Sequence, residues 1–232
     1  MLTLDLQINN NTYLKDPVST DLGKRILSSS ILLIDKYGFE NFNFKKLARE
    51  VSSTESSVYR YFENKHTLLL YLINWFWELT SMRLDLAMLN VDDPVVKIEN
   101  IIKTIIEASF ENIDIPFIDE EVLHRIIVRD GTKAYHHKSV DDDNDEGFFL
   151  AYKTLCEKIS HVLLEINSDY QYPNSLASTL IEVCNNNIYF AKHLPRLTDI
   201  NYNDDRSLME KELFDMLYSL IMSSLANNIN SQ

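Results

Sequence analysis

Residues 53–72 read STESSVYRYFENKHTLLLYL. Small hydroxyl residues and two tyrosines crowd ahead of an apolar run, with Arg60 and Lys65 between them. The chain around this stretch is acidic: its 232 residues carry a formal charge of −13. A segment suited to a phosphate backbone is unexpected there, and so is Glu55 at its front. Read as a short helix, ESSVYRYF puts Val58 and Phe62, four apart, on an inward face and Ser56, Ser57, Tyr59 and Arg60 on an outward one.

The chain before this stretch is also helical. Ile26, Leu27, Ser30, Leu33, Ile34 and Tyr37 form a stripe at i, i+3, i+4 spacing. Gly38 follows where a left-handed residue ends a helix. Asn43 is placed to cap a short helix, FKKLAREV, with Leu47, Ala48 and Val51 on its buried side. SST makes the turn into ESSVYRYF, and Asn64 caps a long helix from Lys65 to about Ala87. Three helices, the last two joined by a tight turn, make a helix-turn-helix. Ala48 and the small turn residues let two helices cross closely, and the short second helix is sized to enter a major groove.

At this point the sequence resembles the TetR family of bacterial transcriptional regulators. The resemblance spans about 45 residues and rests on Gly38-Phe39, Leu47-Ala48, Val58-Tyr59-Arg60-Tyr61-Phe62, Lys65 and Leu68-Leu69. It implies roles for individual residues. Asn43, Lys45 and Lys46 stand near phosphate at the front of the second helix, with Lys45 reaching toward a base. Thr54 caps the recognition helix. Glu55, Ser56, Ser57 and Tyr59 face the groove. Arg60, Tyr61 and Lys65 reach the DNA backbone, Lys65 from a helix start whose dipole also favours an anion. The sequence departs from the family pattern at Ser52, where glycine is usual, at Ser53, usually apolar, and at Glu55, usually Lys, Arg or Gln. Glu55 has two readings. Ser52-x-x-Glu55 fits a capping box. Alternatively, the carboxylate accepts from cytosine N4 in the groove.

Charge distribution agrees with a contact confined to one end. Residues 22–66 hold eight Lys/Arg against five Asp/Glu, a net of +3, and the remainder holds 14 against 30, a net of −16. After Pro94, helices are expected at 95–112, 118–131, 146–167, 174–193 and 205–228. The fold class is therefore all-α. The expected organisation is an N-terminal extension (1–20), a helix-turn-helix DNA-binding domain (21–66) and a larger helical effector-binding and dimerisation domain (67–232), entered through the long helix. LTLDLQI at residues 2–8 alternates like a strand without a partner and reads as a disordered extension or docked tail. Apolar faces on the last two helices carry Leu176, Leu180, Val183, Cys184 and Ile188, then Leu213, Met216, Leu217, Leu220 and Leu225. The resemblance makes these faces a homodimer interface.

Other patterns weigh less. Asp142, Asn144, Glu146 and Gly147 match part of a calcium loop, but Lys153 stands where the bidentate Glu belongs, so DDDNDEG at 141–147 reads as a solvated acidic loop. His136-His137 with Asp141 also reads as loop, and no metal is expected. Arg125 and Arg129, four apart, read as a surface pair. No catalytic constellation, nucleotide-binding Gly loop or cofactor motif is present, which argues against an enzyme. Cys156 and Cys184 read as reduced, buried thiols. The opening MLTLDLQINN lacks the features of a signal peptide and no run is long enough to span a bilayer, so a cytoplasmic location is expected. The functional expectation is a transcriptional repressor that binds a palindromic operator in double-stranded DNA and is released by a small-molecule effector. The alternative is an interaction protein that keeps the fold without specific DNA binding.

Overall fold

The computed structural model describes residue 6 and residues 8–110, 115–202 and 206–226. Among the described residues the chain is helical, without strands. The helices are α1 (Asp21–Tyr37), α2 (Phe44–Glu50), α3 (Glu55–Tyr59), α4 (Lys65–Met88), α5 (Pro94–Glu107), α6 (Glu120–Asp130), α7 (Thr132–Tyr135), α8 (Val140–Asp145), α9 (Leu150–Ile166), α10 (Pro173–His193) and α11 (Arg206–Ala226). None of them is long and apolar enough to cross a membrane. The alternating stretch at 2–8 lies, apart from Leu6 and Ile8, outside the described residues. The described residues of Met1–Leu79 and Phe110–Tyr152 form one compact unit, and those of Thr80–Ser109 and Lys153–Gln232 form another.

In the first unit, α1 starts where the Thr20 hydroxyl accepts from the Gly23 amide at 3.0 Å. Gly23 is required by close approach, because a Cβ there would lie 2.1 Å from the Pro17 carbonyl oxygen. Ile26, Leu27, Ile31 and Ile34 are fully buried along its inner face. Gly38, at φ 76°, ends the helix and donates its N–H to Ile34 O. Asn43 caps α2 by accepting from the Lys46 amide at 2.9 Å. Asn64 caps α4, its side-chain oxygen accepting from the amides of His66 and Thr67 at 2.8 and 3.0 Å. Each cap satisfies amides that have no partner inside the helix.

Arg125 and Arg129 are not a free surface pair. On α6 they hold the C-terminal end of α1. Arg125 reaches the Asp35 carboxylate at 3.2 Å and Glu121 at 2.9 Å. Arg129 donates to the carbonyls of Ile34 at 2.9 Å and Asp35 at 3.2 Å, and to the buried Asp130 carboxylate at 2.9 Å. Cations belong at that end of a helix, where carbonyls lack partners and the dipole is negative.

Two expectations for this unit are corrected. The acidic stretch expected as a loop forms α8 over Val140–Asp145, with Asp141, Asp142 and Asp143 in its first turn, where the dipole favours carboxylates. Gly147, at φ 76°, follows the end of that helix. The recognition helix, expected over 55–62, spans only Glu55–Tyr59, because the chain turns at Arg60 and Tyr61 to enter α4.

In the second unit, α5 buries Ile98, Ile101, Ile102, Ile105 and Ile106, and α11 packs on it with Met209, Leu213, Leu217, Ile221 and Leu225. α10 adds Leu176, Ala177, Leu180, Ile181 and Cys184. Six of the ten apolar residues assigned above to a subunit interface are therefore the chain's own core: Leu176, Leu180, Cys184, Leu213, Leu217 and Leu225 are buried. Met216, Leu220, Val183 and Ile188 remain half-exposed. Cys156 and Cys184 are buried thiols outside any disulfide, and burial pushes the Cys184 thiol up to about 12.

Candidate nucleic-acid interface

The helix-turn-helix is held from beneath by apolar side chains. Leu47, Ala48, Val58 and Phe62 are buried, and the Phe62 ring meets Tyr71 of α4 edge-on at 5.5 Å. The turn between α2 and α3 closes through the Ser53 amide, which donates to Ala48 O at 2.8 Å. Ser52 takes φ 52°, the left-handed conformation that glycine adopts without strain.

Thr54 caps α3, its hydroxyl accepting from the Ser57 amide at 3.2 Å and meeting the Ser57 hydroxyl at 2.9 Å. Ser52 therefore does not cap this helix, and the box Ser52-x-x-Glu55 does not form. Glu55 is the first helical residue, with an exposed side chain. A carboxylate there gains only from the helix dipole.

On the outward side, Asn43, Lys45, Thr54, Glu55, Ser56, Tyr59 and Arg60 are exposed, and Ser57 is half-buried. Tyr59 is 49% exposed while its ring leans edge-on against Phe44 at 5.0 Å, which fixes its direction. Lys46 is half-buried. Its ammonium donates to Asn41 O at 2.7 Å and lies over the Tyr37 ring at 4.9 Å from the centroid.

Two residues expected at the DNA backbone are engaged elsewhere. Tyr61 is turned inward, 4% exposed, with its hydroxyl 2.8 Å from the Thr20 hydroxyl and the Lys15 ammonium 5.2 Å above its ring. The turn after α3 rotates it off the outward face. Lys65 donates to the carbonyls of Phe39 and Glu40 at 3.0 and 3.1 Å and covers the Phe39 ring at 4.7 Å. It ties the start of α4 to the α1–α2 connection.

Residues 9–20, expected only as part of an N-terminal extension, are packed against the helix-turn-helix unit. Leu14 donates its amide to Tyr61 O at 2.8 Å, and the Tyr13 ring meets Tyr71 edge-on at 5.8 Å. Thr12 is fully buried. Asn9 and Asn11 bond Glu146 at 2.9 and 2.8 Å. The only local hint is Gly23, whose missing Cβ leaves room for Pro17.

Residues 26–72 match the family model described as bacterial regulatory proteins, tetR family. No curated protein matches the chain. Several solved structures share its fold. AibR, in complex with isovaleryl coenzyme A and operator DNA, is 14% identical with a TM-score of 0.60, over 85% of this chain and 97% of that one. The fatty acid degradation regulator FadR from Bacillus halodurans is 12% identical with a TM-score of 0.56, over 86% and 95%. The superantigen PfiT is 12% identical with a TM-score of 0.58, over 88% and 96%. At such identities the likeness is one of fold. Over residues 26–72 the chain matches the helix-turn-helix model of the tetR family of bacterial regulatory proteins, and over most of its length it shares the fold of the solved structures above.

Proposed function

We propose that the protein is a homodimeric, cytoplasmic transcriptional repressor that binds a palindromic operator and is released by a small-molecule effector. The observation that carries this reading is the division of the helix-turn-helix into two faces. Val58, Leu47 and Phe62 are sealed inside, whereas Lys45, Ser56, Tyr59 and Arg60 stand exposed on the other side of helices only seven and five residues long. A buried face of that kind makes a rigid platform, and the outward set offers cations for phosphate with hydroxyls and a carboxylate for base edges. Lys45 and Arg60 hold the backbone. Glu55, Ser56, Ser57 and Tyr59 face the groove, while Lys46, Lys65 and Tyr61 brace the platform.

The aromatic cluster of Trp77, Tyr135, Phe149 and Tyr152 is our candidate effector region. Trp77 donates to the Tyr135 hydroxyl at 3.1 Å and lies tilted against Tyr152 with ring centroids 4.7 Å apart, and Tyr135 meets Phe149 at 5.3 Å. AibR, crystallised with an acyl coenzyme A and operator DNA, supports this reading by analogy of fold. In a dimer the two recognition helices must stand about 34–36 Å apart to meet successive major grooves. Effector binding works if it favours a different separation.

The test is fluorescence anisotropy on duplex DNA from upstream of the protein's own coding sequence, at several salt concentrations. Each phosphate neutralised contributes about 0.9 to the slope of log affinity against log salt. The expected result is operator binding above that of random DNA, with a measurable slope. Equal, weak binding to both DNAs would overturn it. That outcome favours the second reading, an interaction protein on the same fold, which the likeness to the superantigen PfiT supports.

A further inference from the structure

The pair His136-His137 reads in sequence as loop, yet the fold gathers His137 with two residues far from it in the chain. His66 is the second residue of α4, His137 lies between α7 and α8, and Asp143 lies on α8. The His66 Nε2 is 2.7 Å from Asp143 Oδ2, and the His137 Nε2 is 3.1 Å from the same oxygen. The two rings stand edge-on with centroids 4.8 Å apart. One ligand atom from each of the three residues falls within 4.8 Å of the others.

We infer that His66, His137 and Asp143 form a site for a divalent transition-metal ion such as Zn2+. Four observations carry the inference. First, two imidazole nitrogens and one carboxylate oxygen converge, a donor set that suits Zn2+ and its neighbours in the first row rather than Ca2+ or Mg2+. Second, the spacing is nearly right. Donors around a tetrahedral zinc at the usual bond lengths lie about 3.3 Å apart, so each histidine nitrogen need move from the Asp143 oxygen by only about 0.2–0.6 Å. Third, the His137 Nε2 is buried and makes no hydrogen bond although it lies 3.1 Å from the carboxylate. A buried nitrogen without a hydrogen-bond partner, beside a carboxylate and a second imidazole, is a group that a cation would satisfy. Fourth, Asp143 alone is partly buried among the aspartates of its helix. Asp141, Asp142 and Asp145 are exposed and add a negative field without entering the cluster.

The ion would take three protein ligands and leave one position for water. Ligation through the His137 Nε2 places the ring proton on Nδ1, so the long 3.3 Å contact from the Ser139 amide to that nitrogen must open. A bound ion would clamp the first turn of α4 to α8. His66 adjoins Lys65, so the clamp sits beside the brace that Lys65 makes to Phe39 and Glu40. The proposal does not rest on DNA binding.

The experiment uses the full chain, free of affinity tag and stripped with chelator, titrated with Zn2+ in a calorimeter and with Co2+ by visible absorption. One Zn2+ per chain is expected, with the intense Co2+ bands of a tetrahedral nitrogen–oxygen site. His66→Ala, His137→Ala and Asp143→Asn should each weaken binding by more than about 100-fold, since losing even an outer-shell partner costs about 10–100-fold. His136→Ala should change nothing. If a variant fails to fold, imidazole NMR of the unaltered chain decides, because Zn2+ should shift the ring signals of His66 and His137 among the six histidines. Uptake that survives all three substitutions, or shifts confined to other histidines, would make the binding adventitious and overturn the site. No uptake at millimolar Zn2+ would show that the cluster is a hydrogen-bonded clamp only.

Discussion

Ser52 sits at φ 52° in the turn between α2 and α3, a conformation that costs an L-residue roughly 1–2 kcal/mol. Glycine relieves this strain but loses more entropy on folding. Ser52→Gly is therefore expected to stabilise the protein by up to about 1 kcal/mol, read as a higher midpoint in urea unfolding. A lower midpoint would mean that the serine side chain is compensating. Tyr61 makes the opposite case, since its hydroxyl is engaged inside the protein with Thr20. Tyr61→Phe should cost about 1 kcal/mol of stability and leave DNA affinity unchanged. A loss of affinity at unchanged stability would return Tyr61 to the DNA backbone. Glu55 is exposed at the front of α3 and outside any capping box, so its carboxylate is worth about 0.3–1 kcal/mol to the helix through the dipole alone. The special φ at Ser52 was legible because the family pattern has glycine there. The direction of Tyr61 was not, because a helix expected to run to Phe62 stops at Tyr59, and each residue lost from a helix end rotates the next side chain off its face.

Lys65 and Arg60 flank the α3–α4 turn and divide the work of the cations there. Lys65 is committed to two carbonyls of the α1–α2 connection. Arg60 is exposed on the outward side. Lys65→Ala should therefore lower stability by about 1–2 kcal/mol and leave the salt slope of DNA binding unchanged. Arg60→Ala should leave stability alone and reduce the slope by about 0.9, weakening operator and random DNA together. Anisotropy at several salt concentrations, beside thermal unfolding, separates the two. The helices that carry these residues were readable because Asn43, Asn64 and Gly38 mark their ends by well-understood local chemistry. α8 was not readable, because a run of aspartates signals a loop by composition and becomes helical only by lying at a helix start. The grip of Arg125 and Arg129 on α1 joins residues some ninety positions apart, and no local pattern announces such a pairing.

At the scale of the molecule, the proposed dimer and the core of the second unit share α10 and α11 but use different side chains. Leu217 is fully buried within the chain, whereas Met216 and Leu220 are half-exposed. Leu217→Ala should unfold the protein more easily, by about 2–5 kcal/mol. Leu220→Glu should leave the monomer folded and bury a charge in the dimer, where it costs several kcal/mol. Light scattering with circular dichroism checks both, and a Leu220→Glu protein that stays dimeric would move the interface to another surface. The split of these helices into a buried and a half-exposed apolar face is hidden in sequence, because both faces are apolar and only packing within the chain distinguishes them. The segment at 9–20 has its own consequence. It bonds the backbone and hydroxyl of Tyr61, lays Tyr13 on Tyr71, and needs Gly23 to let Pro17 pass. Anyone grafting this DNA-reading head onto a foreign sensor body should therefore cut ahead of Asn9 rather than at Asp21. A chimera cut at Asp21 would carry all the outward side chains, yet present its reading helix on an unsealed and softened base.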